Sequence, residues 1–323
     1  MKVFLGHHYF KVIDVPGDPG VLAVTNNKYQ VLILGHGEMG RAMEYLLRDR
    51  HALTIWERHP KAGVPPIELE NAAGQSDIIL FCLPASPHFD LAGRLGPHRQ
   101  PDSLCVTIAK GLDDQGRTAA RALTEALGPQ APVAVLYGPM ISEEIRAGRP
   151  AFAQAGVARA EDFTRLRALF AGAPLYLEYS GDIAGLSWSA VLKNVYAILF
   201  GVADELCLGD NMRGYLAAAA MGEMERIVTG LGGTAGAARR LAGLGDLITT
   251  ATSKGSHHHE LGRQLARGET AALEGEGVHT LKTVRRHRLF DPRLHPLFEL
   301  TGRLLDEPAA TRELMKKFFE GLA

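Results

Sequence analysis

The chain has 323 residues, which is more than one domain usually contains, so two domains are expected. Its 35 basic and 36 acidic side chains leave a formal net charge of −1, without the broad basic excess of proteins that bind nucleic acids or membrane surfaces. The three cysteines have no disulfide or zinc spacing, and no apolar run is long enough to span a membrane, so we expect a cytoplasmic protein.

The first 28 residues precede the first run that reads as a buried strand. A stretch rich in proline and glycine, Pro16 to Gly20, interrupts them. We therefore treat 1–28 as an N-terminal extension. The sequence leaves open whether it adds a hairpin to a sheet edge or forms a tail.

Short apolar runs predict five buried parallel strands, at 29–34, 52–56, 77–84, 103–109 and 133–137. Helical patterns alternate with these strands, beginning with 40–50, in which Ala42, Tyr45 and Leu46 face inward. This alternation predicts right-handed crossovers and a doubly wound α/β sheet.

A glycine-rich turn links the first strand to the first helix. Gly35, Gly37 and Gly40 match G-x-G-x-x-G, with Glu38 and Met39 between the second and third glycine. The first glycine permits a tight turn, the second lets the backbone approach a pyrophosphate, and the third lets helix and strand pack closely. The helix N-terminus adds free amides and a positive dipole end. The motif predicts a Rossmann-type domain that binds NAD or NADP.

The end of the second strand bears on the choice between these cofactors. Glu57 is placed to accept a hydrogen bond from a ribose 2′-hydroxyl, whereas the neighbouring Arg58 could bind a 2′-phosphate. The sequence leaves the choice open, and it also allows both to be solvated strand-end charges.

The second half is helical in pattern, and 186–206 predicts one long central helix. The character of the sequence changes near Gly181 and Asp182. We expect a dinucleotide-binding α/β domain at 29–182 and an all-α substrate domain at 183–323.

Five further segments resemble the NAD(P)-dependent glycerol-3-phosphate dehydrogenase family, in the same order and spacing along the chain. They are 109–112 (AKGL), 192–195 (LKNV), 201–211 (GVADELCLGDN), 241–247 (LAGLGDL) and, more weakly, 274–278 (EGEGV). The resemblance implies reversible hydride transfer between NAD(P)H and dihydroxyacetone phosphate, which gives sn-glycerol 3-phosphate.

Reducing a ketone leaves negative charge on its oxygen, so the site needs a cation and a proton there. The resemblance implies that Lys193 is the acid/base and that Lys110 is a second cation near substrate and cofactor. Burial and a neighbouring cation both lower a lysine pKa from its usual ~10.4 towards neutrality. The alternative for Lys193 is a side chain that reaches solvent along its apolar helix.

The resemblance also assigns further site residues. It makes Asp246 catalytic, and it places Asn194, Thr250 and Gly138 at the substrate and Glu276 near the cofactor. Asp246 lies between a glycine and an apolar run, so it is also a candidate helix N-cap. The two roles are compatible.

One stretch, 252–260, departs from the family, which carries Ser-Arg-Asn with a phosphate-binding arginine. Here Ser256 is kept, but His257 and His258 stand where arginine and asparagine are expected. Arginine binds phosphate bidentately and is always charged, whereas histidine is mostly neutral at pH 7.

Several interpretations of this departure stay open. The histidines could contact phosphate together with Lys254, or they could indicate a different carbonyl substrate without phosphate. A metal site in the triple histidine is disfavoured because adjacent ligands rarely point to one ion, so we expect no metal. A solvated polar loop is the simplest alternative.

Three functions therefore compete: a glycerol-3-phosphate dehydrogenase, a relative that reduces another small carbonyl compound, and a non-catalytic NAD(P)-binding sensor. Lys110, Lys193, Asn194 and Asp246 argue against the sensor, because a pure binder needs none of them. The expected partner is a small-molecule substrate. A homodimer through the helical domain is implied by the family alone.

Overall fold

The computed structural model describes residues 2–5, 8–11, 28–60, 66–253, 255–269 and 273–322. Seven of the described strands form one sheet, in the order β4-β3-β5-β6-β7-β8-β9, and β1 pairs with β2. The strands are β1 Lys2–Leu5, β2 His8–Lys11, β3 Gln30–Leu34, β4 Ala52–Trp56, β5 Ile78–Phe81, β6 Leu104–Thr107, β7 Val133–Tyr137, β8 Ala151–Val157 and β9 Leu175–Ser180.

The N-terminal strands pair with each other. β1 and β2 are antiparallel, with Lys2 opposite Lys11 and Leu5 opposite His8. Among the described residues these two strands form a separate sheet and are not an edge of the seven-stranded one. Residues 12–27 of the predicted extension lie outside the described residues.

Every pair of neighbours in the large sheet is parallel except β7 and β8, which are antiparallel. The five predicted strands are β3 to β7, so the doubly wound α/β fold is confirmed. Alternate residues of β3 enter different cores: Val31 and Ile33 pack on one face of the sheet, and Leu32 and Leu34 pack on the other. Because both faces are covered, these strands read as continuous apolar runs.

Strands β8 and β9 are not among the strands predicted from the sequence. Strand β8 is rich in alanine and glycine (AFAQAGV), which are poor strand formers, and most of β9 (LYLEYS) is only half-buried. Pairing with β7 and β9 holds β8 in the sheet despite this weak local preference.

Six helices of the described residues lie between the strands, and the others, including the two longest, follow β9. They are α1 Glu38–Leu47, α2 Leu69–Gly74, α3 His88–Leu95, α4 Ala119–Leu127, α5 Ser142–Arg146, α6 Ala160–Leu169, α7 Ile183–Glu205, α8 Gly209–Gly230, α9 Asp246–Thr252, α10 His257–Ala266, α11 Glu276–His287, α12 Pro296–Asp306 and α13 Thr311–Glu320. A π-helical turn, Leu241–Gly245, leads directly into α9.

The predicted central helix is α7. It begins where the Asp182 carboxylate accepts a hydrogen bond from the Gly185 amide at 2.7 Å, an N-cap that satisfies a free helix amide. Contrary to the expectation from the sequence, α7 is by length and composition apolar enough to cross a membrane, but 89% of its most apolar stretch is buried inside the fold. Its apolar surface is thus used to pack the helical part of the chain.

Glycines bring α10 directly against α7. A β-carbon at Gly201 of α7 would lie 1.9 Å from the His259 carbonyl oxygen, and one at Gly262 of α10 would lie 1.9 Å from the Ile198 carbonyl oxygen. Only glycine permits this approach of two backbones. The contact holds the start of α10 close to the middle of α7, where Lys193 and Asn194 lie.

Candidate active site

The glycine-rich turn has the shape that the motif predicts. Gly35 has a φ of +90°, and its amide donates to the Trp56 carbonyl at 2.8 Å. A β-carbon at Gly40 would lie 2.0 Å from the Gly35 carbonyl oxygen, so helix and turn are in close contact. A β-carbon at Gly37 would meet nothing within 4 Å, so the turn is open there.

Helix α1 starts at Glu38 directly after Gly37, and no side chain caps its free amides. An open glycine followed by uncapped helix amides is a site that can accept a pyrophosphate. The residues present therefore fit a dinucleotide. Met39, the next residue, lines the cavity that contains the lysines.

A second cavity, of about 570 Å³, opens beside the ends of β4 and β5. Trp56, Arg58, Leu83 and Pro84 are among its walls, and Arg58 is exposed. Glu57 is half-buried and is not among the lining residues. The sequence left open whether Glu57 or Arg58 contacts the cofactor ribose, and of the two only Arg58 lines this cavity.

The lysines lie in a cavity of about 580 Å³ between the sheet and the helices that follow it. Among the described residues, its walls include α1, the turns after β6 and β7, and helices α7, α9 and α10. The lining residues are Met39, Ile108, Lys110, Met140, Ile141, Glu143, Glu144, Arg149, Lys193, Asn194, Asp246, Thr249, Thr250, Ser253, Gly255, Ser256 and His258.

Lys110 and Lys193 meet at one carboxylate. Lys110 Nζ lies 2.6 Å from Asp246 Oδ2, and Lys193 Nζ lies 3.3 Å from the same oxygen. The side chains of Lys110, Lys193 and Asp246 are 18%, 7% and 5% exposed. Lys193 therefore does not reach solvent, and the structure joins three predicted residues from distant parts of the chain.

The environment of Lys193 makes its ammonium group easier to deprotonate. Burial lowers the pKa of Lys193 to about 8, and the Lys110 ammonium lowers it as well, whereas the Asp246 carboxylate raises it. Burial is the largest of these effects, because the interior of α7 offers little solvation to a charge. A lysine with a pKa near 8 can exchange a proton at physiological pH.

Thr250 and Asn194 hold the two lysine segments in place. Lys193 Nζ donates to Thr250 Oγ1 at 2.7 Å, and that hydroxyl donates to the Asp246 carbonyl at 2.7 Å. The Asn194 side-chain amide donates to the Lys110 carbonyl at 2.9 Å. The threonine hydroxyl therefore presents a lone pair to Lys193.

Asp246 does not have the predicted role of N-cap. It is the first residue of α9 and follows the π-helical turn without a break; the cap position is Gly245. Its carboxylate instead binds the two lysines. That N-cap prediction was wrong because the π turn continues into α9 and leaves no extended residue at its start.

Gly138 and Glu276 contact the Lys110 segment. The Gly138 carbonyl accepts a hydrogen bond from Lys110 Nζ at 3.0 Å. Gly138 has a φ of +154°, and a β-carbon there would lie 2.5 Å from the Phe152 carbonyl oxygen, so this position requires glycine. A β-carbon at Gly111 would lie 1.8 Å from Glu276 Oε2, and burial raises the pKa of Glu276.

The three adjacent histidines have three different partners. His257 Nε2 pairs with the Glu274 carbonyl at 2.9 Å, His258 Nε2 accepts from the Gly277 amide at 3.2 Å, and His259 Nε2 pairs with Asp204 at 2.8 Å. The described residues contain no group of three or more potential metal ligands. Divergence of the rings is the physical reason that the triple histidine forms no such group.

Only His258 of these three lines the lysine cavity. Burial and then the Lys193 ammonium lower the pKa of His258 to about 3, so the ring is neutral at pH 7. Its Nε2 accepts a hydrogen bond, so the proton lies on Nδ1. Ser256 caps α10 by accepting from the His259 amide at 3.3 Å. Lys254 lies outside the described residues.

Several residues of the cavity wall are not among those predicted from the sequence. Glu144 and Arg149 lie in and just after α5 and form an ion pair of 3.0 Å. No motif or periodicity marks them, because they belong to a helix of only five residues and to the turn that follows it. Only the folded structure shows that these two residues line the cavity.

The comparisons with known proteins agree with this geometry. The family model for the N-terminus of NAD-dependent glycerol-3-phosphate dehydrogenase matches residues 64–162, and the one for the C-terminus matches 182–316. The glycerol-3-phosphate dehydrogenase (NAD(P)+) of Agrobacterium fabrum is 33% identical over 324 residues, which cover 89% of this chain and 97% of that protein. The chain belongs to the NAD-dependent glycerol-3-phosphate dehydrogenase family.

Another relative extends the family match, and solved structures share the fold. The glycerol-3-phosphate dehydrogenase (NAD(P)+) of Synechocystis sp. is 31% identical and covers 89% of this chain and 93% of its own length. The crystal structure of glycerol-3-phosphate dehydrogenase from Coxiella burnetii has a TM-score of 0.77 at 24% identity, with 89% of this chain and 99% of that chain covered. Membership of the glycerol-3-phosphate dehydrogenase family makes the chain an NAD(P)-dependent oxidoreductase.

Proposed function

We propose that this family member catalyses reversible hydride transfer between NAD(P)H and dihydroxyacetone phosphate, with sn-glycerol 3-phosphate as the reduced product. The observation that carries the proposal is the contact of the Lys110 and Lys193 ammonium groups with one oxygen of Asp246, inside a cavity that begins at the glycine turn. The relatives at more than 30% identity bear the name of this activity.

Lys193 is the proposed acid and base. When bound, the nicotinamide supplies the hydride for ketone reduction and accepts it in the reverse direction. Negative charge then develops on the ketone oxygen, and the Lys193 ammonium can donate a proton to that oxygen. With a pKa near 8, the neutral amine can also take the proton back from the alcohol during oxidation.

Lys110 and Asp246 prepare this proton transfer. We infer that Lys110 remains the second cation beside the developing alkoxide and stabilises it electrostatically. Asp246 opposes the repulsion between the ammonium groups, and without it the pKa of Lys193 would fall further. Thr250 fixes the direction of Lys193 through its accepting hydroxyl.

The phosphate end of the substrate is assigned to the start of α10. We propose that Ser256, the neutral His258 and the amides at the start of α10 bind it, with Asn194 and Thr250 near the carbon chain. The neutral His258 ring can donate a hydrogen bond but adds no charge. The site therefore attracts phosphate less strongly than it would with an arginine at this end. His257 is exposed and stays a predicted phosphate contact that only the substrate complex would form.

Steady-state oxidation of NADH and NADPH tests this function. Turnover with dihydroxyacetone phosphate supports the proposal, and dihydroxyacetone is the matched control without phosphate. Turnover on unphosphorylated carbonyls alone would support the relative with a different substrate. Cofactor binding without turnover on any carbonyl would support the third alternative, a non-catalytic NAD(P)-binding sensor.

A cytoplasmic location and a homodimer through the helical part are further proposals. Cell fractionation would test the location, and sedimentation equilibrium would test the dimer.

A further inference from the structure

An ion-pair cluster adjoins the glycine turn at the position where a pyrophosphate would approach. It consists of Glu38, Arg41 and Arg146, and we call these three residues the anion clamp. Arg41 binds Glu38 Oε1, and Arg146 Nη2 lies 2.5 Å from Glu38 Oε2. The clamp therefore joins the first turn of α1 to α5, which lies more than a hundred residues further along the chain.

The clamp contacts the turn itself. Arg41 Nη1 donates to the His36 carbonyl at 3.0 Å, and His36 lies between the first two glycines of the motif. Glu38 directly follows Gly37, where the turn is open. Both guanidinium groups thus bind the side chain of the first residue of α1, the helix whose N-terminal amides no side chain caps.

The charges of the anion clamp suit a ligand-binding role better than a purely structural one. Arg41 and Arg146 carry two positive charges, and the hydrogen bond from Arg41 lowers the pKa of Glu38, so its carboxylate is negative at pH 7. A fixed carboxylate at the start of α1 repels a pyrophosphate, whereas two guanidinium groups match its charge and bind it bidentately. Side-chain exposures of 36% to 51% leave all three groups accessible to a ligand.

We propose that Arg41 and Arg146 bind the pyrophosphate of the cofactor, and that Glu38 is the internal anion which the pyrophosphate displaces from them. This inference rests on the proposed function, because it requires a dinucleotide on the glycine turn. It adds Arg146, a residue outside the motif, to the cofactor site. It also makes Glu38 a competitor of the cofactor rather than a ligand.

Direct binding to the cofactor-free protein tests the clamp. Isothermal titration with NADH, NADPH and ADP-ribose gives Kd without any turnover, and ADP-ribose retains the pyrophosphate but lacks nicotinamide. Arg146→Gln should weaken all three by roughly tenfold, because a charge-assisted phosphate contact is lost. Glu38→Gln should tighten them by about threefold, because a competing charge at an exposed site is removed.

The double variant separates ligand binding from simple neutralisation of Glu38. If Arg146 binds pyrophosphate, Arg146→Gln in the Glu38→Gln background still weakens binding by about fivefold or more. If Arg146 only neutralises Glu38, Arg146→Gln changes Kd by less than about twofold in the Glu38→Gln background, and the inference is overturned. Arg121→Gln is the matched control: Arg121 is exposed and pairs with Glu125 on α4, away from the turn.

Thermal unfolding of each variant checks that the protein remains folded, and Arg146→Lys tests geometry at constant charge. Arg146→Lys should recover only part of the affinity, because lysine lacks the planar donors. Failure of the unmodified protein to bind NADH, NADPH and ADP-ribose would overturn the proposed function together with the clamp. Normal binding by the unmodified protein and by all clamp variants would overturn the clamp alone.

Discussion

Lys110 and Lys193 approach the same carboxylate oxygen, at 2.6 and 3.3 Å, although they belong to different parts of the fold. One follows strand β6 and the other lies in the middle of α7. The shared oxygen allows two ammonium groups to remain close while one of them, Lys193, keeps a pKa near 8. This arrangement places a proton donor beside a second ammonium group.

Removing the proposed acid should abolish turnover without loss of the cofactor. We expect Lys193→Met to lower kcat by at least ~10³-fold, because both proton transfer and charge stabilisation are lost. The Kd for NADH should change by less than about threefold, since Lys193 acts on the alkoxide. Stopped-flow turnover and NADH fluorescence measure the two quantities. Lys316→Met is a control on the exposed surface of α13, and near-normal turnover of Lys193→Met would show that another group is the acid.

The pH dependence of the two directions should be opposite. Ketone reduction needs the Lys193 ammonium, so kcat/KM for reduction should fall as pH rises through about 8, and that for oxidation should rise there. Asp246→Asn removes the charge that raises the pKa of Lys193, so both profiles should move to lower pH. Profiles that do not move in Asp246→Asn would exclude Lys193 as the titrating group.

Lys193 should also cost stability at neutral pH. Its pKa is lowered from 10.5 to about 8 on folding, so the folded state disfavours the ammonium. The resulting loss in the free energy of unfolding is fully present below about pH 8 and disappears as pH rises towards 10.5. Its largest value is about 3 kcal/mol. We therefore expect Lys193→Met to raise Tm at pH 7 and to lose most of this advantage at pH 10. An advantage that is equal at both pH values would contradict the lowered pKa.

Restoring arginine at the start of α10 tests the proposed phosphate end. His257→Arg should lower KM for dihydroxyacetone phosphate several-fold, because arginine adds a permanent charge and planar donors. KM for dihydroxyacetone and Kd for NADH should stay within about twofold, since neither needs this contact. An unchanged KM for the phosphorylated substrate would place the phosphate elsewhere in the cavity.

Local sequence was sufficient for much of the sheet and for the glycine turn. Strands β3, β5, β6 and β7 are buried on both faces, so their mostly apolar runs are easy to recognise. Gly35 and Gly40 form a turn that depends on contacts within a few residues and on the adjoining strand. Strands β8 and β9 were missed because their pairing partners, and not their own composition, hold them in the sheet.

Other features depend on residues that are far apart in the chain. An apolar helix around Lys193 suggested that this lysine is unusual, but only folding brings Asp246, Lys110 and Thr250 to it. The adjacent histidines have similar sequence surroundings, yet His258 is driven to a pKa near 3 while its neighbours face other partners.

From its sequence alone this chain could be assigned its fold class and its dinucleotide turn, because those signals come from local hydrophobic period and a short motif. The residues of a reductase were implied by the resemblance to a family. Which groups touch, how strongly Lys193 is desolvated, and that Glu38 pairs with Arg146 were decided only by the tertiary structure. The physical reason is that burial and charge pairing depend on distance in space, which a linear pattern does not contain.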